Sequence, residues 1–325
     1  MTWRGGGGSH GSRRTVPVLA ACLAVSAALT LTTTPSADPV APAGPPVGIA
    51  TTARAEPVPT RPAVLPGPAP VGPGVVTETA GAGLCTAGFV LTAGGRTFLA
   101  QAAHCGGTGD ETETDGCTSD TVPLGTPVTV RGADRTVTGT LAWSSWNTMQ
   151  ARGERDPDTC AYNDLALVEL PRGAAPAVGA AVPFFGGPEG VRTDPPAVGT
   201  PVFGLANPPD ATGARTLGAR AGAIAGAVGG GWGHTVYSLV PGVAGESGSP
   251  LLDGEGRAVG VLSSLSTTAD RPSIEYTDLG RALDYAERTD GPRGLTLAAG
   301  PPFDPTPSGV DPRALAIPAG PGLGH

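Results

Sequence analysis

The residues able to do chemistry in this 325-residue chain are a serine, a histidine and an aspartate, far apart in sequence. Ser247 lies in Gly245-Glu246-Ser247-Gly248-Ser249-Pro250. Glycine on both sides lets the backbone turn tightly at positive φ, which aims successive N–H groups at one point and leaves the hydroxyl exposed. His104 stands at the end of an apolar run and directly before Cys105. Asp164, in Asn163-Asp164-Leu165-Ala166-Leu167-Val168, opens a strand-like stretch where an unpartnered carboxylate would be costly to bury.

Each of the three has an ordinary reading on its own: a glycine-rich turn, a structural histidine, a strand cap. Their combination is more specific. A serine hydroxyl is a poor nucleophile until an imidazole takes its proton. The imidazole needs its other nitrogen held, and its charged form stabilised, by a carboxylate. The order along the chain is His, Asp, Ser.

The elements that would carry them read as short strands. Gly88–Leu91 and Thr97–Ala102 flank Gly94-Gly95, and Pro127–Arg131 and Thr136–Leu141 flank a Gly-Ala-Asp turn. Asp164–Leu170 alternates and stops at Pro171. The Pro/Gly-rich passage 171–196 divides two β units. The second contains strands at Val202–Leu205, Thr216–Val228, His234–Val240, Ser249–Leu252 and Arg257–Ser263. From Asp278, Leu279, Leu283 and Ala286 recur at helical spacing, with Gly291-Pro292 as a stop.

Composition sets the frame. There are 52 glycines and 36 prolines, concentrated towards both ends, and aromatics are only 4%. All basic residues are arginine, and the net charge of −8 without a basic stripe speaks against nucleic acid as a partner. Arg4, Arg13 and Arg14 precede an apolar run from Val16 to Leu31, so residues 1–37 read as a signal peptide, cleaved somewhere within 37–55. Residues 38–74 read as a Pro/Ala-rich linker or pro-segment, and 291–325 as a disordered Pro/Gly-rich tail. No stable membrane anchor is expected, and the folded part is expected to be a secreted monomer. Beyond Cys22 in the signal, Cys85, Cys105, Cys117 and Cys160 suit two disulfides with three possible pairings, whereas a metal site lacks Cys-x-x-Cys spacing.

The chain resembles the chymotrypsin-like (trypsin-fold) serine proteases of the secreted bacterial type. The resemblance is carried by Cys85-Thr86-Ala87-Gly88-Phe89 with Ala103-His104-Cys105, by Asn163-Asp164-Leu165-Ala166, and by Gly245-Glu246-Ser247-Gly248 with Val259-Gly260-Val261. It implies an all-β fold: two antiparallel β-barrels packed face to face, about 75–175 and 195–290, with a short C-terminal helix. It also implies His104 as general base, Asp164 as its orienting partner and Ser247 as nucleophile, with the N–H groups of Gly245 and Ser247 forming the oxyanion hole. A Cys85–Cys105 bridge follows from it too, leaving Cys117–Cys160. A polypeptide would be the substrate, and no cofactor is needed.

The chain departs from that family in several places. Glu246 replaces the usual aspartate before the nucleophile, and if buried it needs an arginine, Arg192 or Arg220. Val243 stands where a cysteine would be, and Pro241 where trypsin-like members carry an aspartate. Ser263 should pair with substrate backbone, and Leu265 and Ile274 should narrow the pocket. Cleavage after small or medium apolar residues is expected. His234 reads as the entry to a strand. The alternatives are a catalytically silent binding module and an esterase; the α/β-hydrolase elbow Gly-x-Ser-x-Gly does not match Ser249-Pro250.

Overall fold

In the computed structural model, residues 71–110, 113–208, 215–266 and 273–317 are described. The expected signal peptide and most of the expected linker lie outside them. Val71, four residues before the expected boundary, is fully buried and bridged to Val178.

The first barrel is built from β1 (Val76–Thr79), β2 (Leu84–Thr86), β3 (Val90–Ala93), β4 (Arg96–Gln101), β5 (Pro127–Arg131), β6 (Thr136–Ser144) and β7 (Ala166–Glu169). The order is β3-β4-β7-β6-β5-β1-β2, all antiparallel. β2 runs straight on towards β3, with Ala87 bonding to Gly74 and Val75 just before β1 and Gly88 to Ala100 of β4, so chain continuity closes the ring. Alternation places Val128 and Val130 inside with Phe89, Leu91, Leu99, Leu141 and Leu167. The β3–β4 turn needs positive φ at both central residues, and Gly94 and Gly95 supply it.

Two helices that hydrophobic periodicity did not signal interrupt this barrel: α1 (Ser145–Arg152) and α2 (Pro157–Tyr162). α2 is nonetheless locally encoded. Asp156 caps Thr159 N at 2.8 Å, and Pro157 occupies the first turn, where a missing N–H is harmless.

The second barrel comprises β8 (Gly190–Val191), β9 (Pro201–Ala206), β10 (Gly218–Val228), β11 (Gly233–Ser238), β12 (Pro250–Asp253), β13 (Arg257–Ser266) and β14 (Ser273–Asp278). Six of these close as β12-β9-β10-β11-β14-β13-β12, with β8 parallel on the outside of β13. α3 (Leu279–Arg288) follows, capped by Asp278 on Arg281 N at 2.7 Å. The all-β expectation of two antiparallel barrels and a short C-terminal helix matches the structure. Their seam is continuous: Phe203, Leu205 and Val261 share one apolar cluster with Phe89 and Leu99.

The expected disordered tail is corrected over its described part. β15 (Thr296–Leu297) adds to the edge of β3. Phe303 packs on Phe185 and Phe203, and Ala314 O accepts from Ala221 N of β10 at 2.9 Å. Pro and Gly had suggested a solvated chain. A few apolar anchors (Leu297, Phe303, Leu315) instead bury against both barrels.

Candidate active site

β4 ends in a single 3₁₀ turn, Ala103–Gly106, that carries His104 out of the first barrel. Cys105 is bridged to Cys85 in β2, tying that turn to the neighbouring strand. Asp164 follows α2, and Cys160 of that helix is bridged to Cys117. Both helix and carboxylate are therefore fixed to the segment beyond His104.

The two side chains meet. His104 Nδ1 lies 2.7 Å from Asp164 Oδ2, and His104 N donates to Oδ1 at 2.8 Å. Ser263 Oγ donates to Oδ2 at 2.6 Å. Asp164 is only 3% exposed, and these bonds satisfy it in place of water. Burial alone would raise its pKa, but the charge and hydrogen bonds of His104, together with the hydrogen bond from Ser263, outweigh burial and lower it. Burial likewise acts to lower the His104 pKa, and the Asp164 carboxylate overcomes it, so the net shift is upward. With Nδ1 facing a carboxylate, Nε2 is left as the proton acceptor. The indole of Trp146, from α1, packs beside the imidazole with ring centroids 6.3 Å apart.

Ser247 comes from the opposite barrel. Its loop hangs on β2: Ser247 O accepts from Thr86 N at 2.9 Å and Gly245 O from Thr86 Oγ1 at 2.8 Å. Gly245 and Gly248 take φ of +86° and +90°. A Cβ on Gly248 would lie 2.4 Å from Thr86 O, so glycine is required there for space as well. Ser247, His104 and Asp164 line one cleft of about 690 Å³ between the barrels, without a hydrogen bond joining His104 to Ser247. That bond commonly tightens only around substrate. Among the described residues, neither Gly245 N nor Ser247 N donates to a protein acceptor.

Beneath the serine, Glu246 is fully buried and receives Arg220 Nη2 at 2.6 Å, Asn207 N at 2.7 Å and Val243 N at 3.2 Å. Of the two candidate arginines, Arg220 is its partner. Arg192 binds Asp194 and Asp253 instead.

Solved protease structures are similar to this chain. Thermobifida fusca Protease A is 18% identical, with 71% of this chain and 99% of that one covered, at a TM-score of 0.41. A Glu endopeptidase solved with MPD is 15% identical over 66% and 90% of the two chains, TM-score 0.44. Cellulomonas bogoriensis chymotrypsin is 19% identical over 70% and 98%, TM-score 0.40. No protein-family model and no curated protein matches the chain.

The expected pocket residues divide. Ser263 and Leu265 line the cleft with Val243, whereas Pro241 and Ile274 do not. Ile274 is buried behind Leu265, its register partner, and both press on Gly242. Pro241 is solvent-exposed and offers its carbonyl to Arg220. His234 does not line the cleft; it is buried with Nε2 2.8 Å from Asp278 Oδ2 under the start of α3. The Cys85–His104–Cys105 and Asp115–Cys117–Cys160 groupings hold no free thiolate, since both cysteine pairs are oxidised, and a metal does not fit them.

The hydroxyl of Ser263 was not foreseen as a partner of Asp164. It reaches there because β13 shifts register between Leu262 and Ser264, a bulge that frees Ser263 from β14. Trp146 was missed as well; a helix hidden among strand-like residues gave no periodic signal for it.

Proposed function

We propose that this protein is a serine endopeptidase acting through an acyl-enzyme on Ser247. The observation that carries this is the bonded His104–Asp164 pair sharing a cleft with a serine whose neighbouring N–H groups are unpaired. Ser247 Oγ attacks the scissile carbonyl as its proton passes to His104 Nε2. Asp164 stabilises the imidazolium, and the oxyanion is received by Gly245 N–H and Ser247 N–H. Collapse breaks the C–N bond, and His104 returns the proton to the departing amine. Water then attacks the acyl carbon as its proton passes to His104 Nε2, and collapse breaks the bond to Ser247 Oγ, which takes that proton back as the acid is freed.

Substrate selection follows from Leu265 backed by Ile274 against Gly242, which leaves little depth for a long side chain. Cleavage after small or medium apolar residues fits that shape. The amino-terminal signal and the two disulfides fit an exported protein. A panel of chromogenic peptides tests the reading. Ala, Val or Leu before the cut should be preferred, with hydrolysis lost in Ser247→Ala. Strong preference for Arg, Lys or Glu would overturn the specificity, and no hydrolysis of any peptide would favour the binding-module alternative.

A further inference from the structure

The Gly245 N–H can serve an oxyanion only if the Ala244–Gly245 peptide is turned the right way. Glu246 N bonds back to Val243 O at 3.3 Å, closing a tight turn with Gly245 at positive φ in its third position. The central peptide of such a turn can flip between two orientations at modest cost. One presents an N–H to the cleft; the other presents a carbonyl, which would repel an oxyanion.

Arg215 decides between them. Its Nη2 donates to Ala244 O at 3.0 Å, and its Nη1 donates to Asn207 O at 2.7 Å. Asn207 is itself buried, with its N bonded to Glu246. Carbonyl and N–H of one trans peptide point in opposite directions. Holding Ala244 O towards Arg215 therefore holds Gly245 N–H away from it, where no group among the described residues accepts its proton. The guanidinium lies so close that a Cβ on Gly245 would stand 2.1 Å from Nη2, so glycine is needed both for φ and for this contact. Thr86 Oγ1 secures the next carbonyl, Gly245 O, from the other barrel at 2.8 Å.

We propose that Arg215 is a positioning residue that keeps the oxyanion hole open by clamping the Ala244 carbonyl. This rests on the serine-protease reading of Ser247. It is separate from the Arg220–Glu246 pair, which holds the loop from below.

Arg215→Ala and Arg215→Lys test it. In the alanine variant kcat should fall by about 10²-fold or more, the scale for losing one oxyanion donor, with KM nearly unchanged. A peptide boronic acid, which places a tetrahedral oxygen in the hole, should lose affinity by a similar factor. Lysine, or added guanidinium with the alanine variant, should restore part of the rate. Unchanged kcat in a folded alanine variant, or equal loss in kcat and in binding of an uncharged product peptide, overturns the proposal. Should the wild-type protein hydrolyse nothing, the serine-protease reading fails; crystal structures of wild type and Arg215→Ala then decide the clamp alone. A Gly245 peptide unmoved between them contradicts it, and a flipped one supports it.

Discussion

Arg220 donates to Glu246 Oε2 across 2.6 Å, and neither side chain reaches solvent, being 2% and 0% exposed. Arg220 sits in β10, paired with Gly204 of β9; the Nη2 that bonds Glu246 also donates to the carbonyl of Pro241, while Nη1 and Nε bind the carbonyls of Leu205 and Val240. The second barrel thus grips the serine loop through one fully bonded cation. A buried pair of this kind contributes little net stability, but breaking it strands a charge.

Arg220→Met should accordingly destabilise the protein by about 3–5 kcal/mol and abolish activity, because Glu246 is left buried without its cation. Pairing it with Glu246→Gln should recover much of the stability. Urea unfolding of the two variants measures this; equal losses in both would contradict it.

The His104–Asp164 pair sets the pH dependence. A general base must be neutral, and the His104 pKa is raised above the ordinary value of 6.5. The acid limb of kcat/KM should therefore have its midpoint above 6.5, and a midpoint at or below it would contradict the ion pairing. Stability responds in the matching sense. The raised imidazole contributes fully below its unfolded pKa and loses its contribution as pH rises through the folded one. The lowered Asp164 contributes above its unfolded pKa near 3.8 and loses it as pH falls. The stability difference between wild type and Asp164→Asn should be greatest between these limits. That variant should also lose about 10⁴-fold in kcat, through the wrong imidazole tautomer.

Ser263→Ala removes one of the donors on a buried carboxylate. A loss of about 1.5–3 kcal/mol in stability is expected, with reduced kcat and little change in KM. Thermal melts and steady-state kinetics on the same preparation check both. An unaltered melt would mean that water replaces the hydroxyl.

Leu265→Gly opens the space against Gly242 and Ile274. Preference should move towards Phe before the cut, by about tenfold relative to Ala, the scale for one or two extra buried methylenes. Unchanged ranking across a peptide panel would place the pocket elsewhere.

Much of this was legible in sequence because it is locally encoded. Gly94-Gly95, the Asp278 cap and the glycines around Ser247 each dictate their own backbone, and the strands they bound alternate. The three candidate site residues stand out because only two histidines, His104 and His234, lie in the middle of this chain, and His104 is followed in order by a strand-opening aspartate and a glycine-flanked serine. What escaped depends on contacts between distant segments. Arg215 reaches Ala244 across 29 residues, and nothing near it in sequence marks it. Pro241 is placed by counting back from Ser247, but its carbonyl is drawn to Arg220 and it lies exposed outside the cleft lining. The C-terminal segment looked featureless because its anchoring relies on single apolar residues such as Phe303 rather than on a period.

Covalent labelling of Ser247 tests the central claim most directly. The folded protein, incubated with a fluorophosphonate at pH 8 and measured by intact mass spectrometry, should gain one adduct mapping to Ser247. Labelling should be absent in Ser247→Ala and strongly slowed in His104→Ala. A folded wild-type protein that remains unmodified would contradict the account.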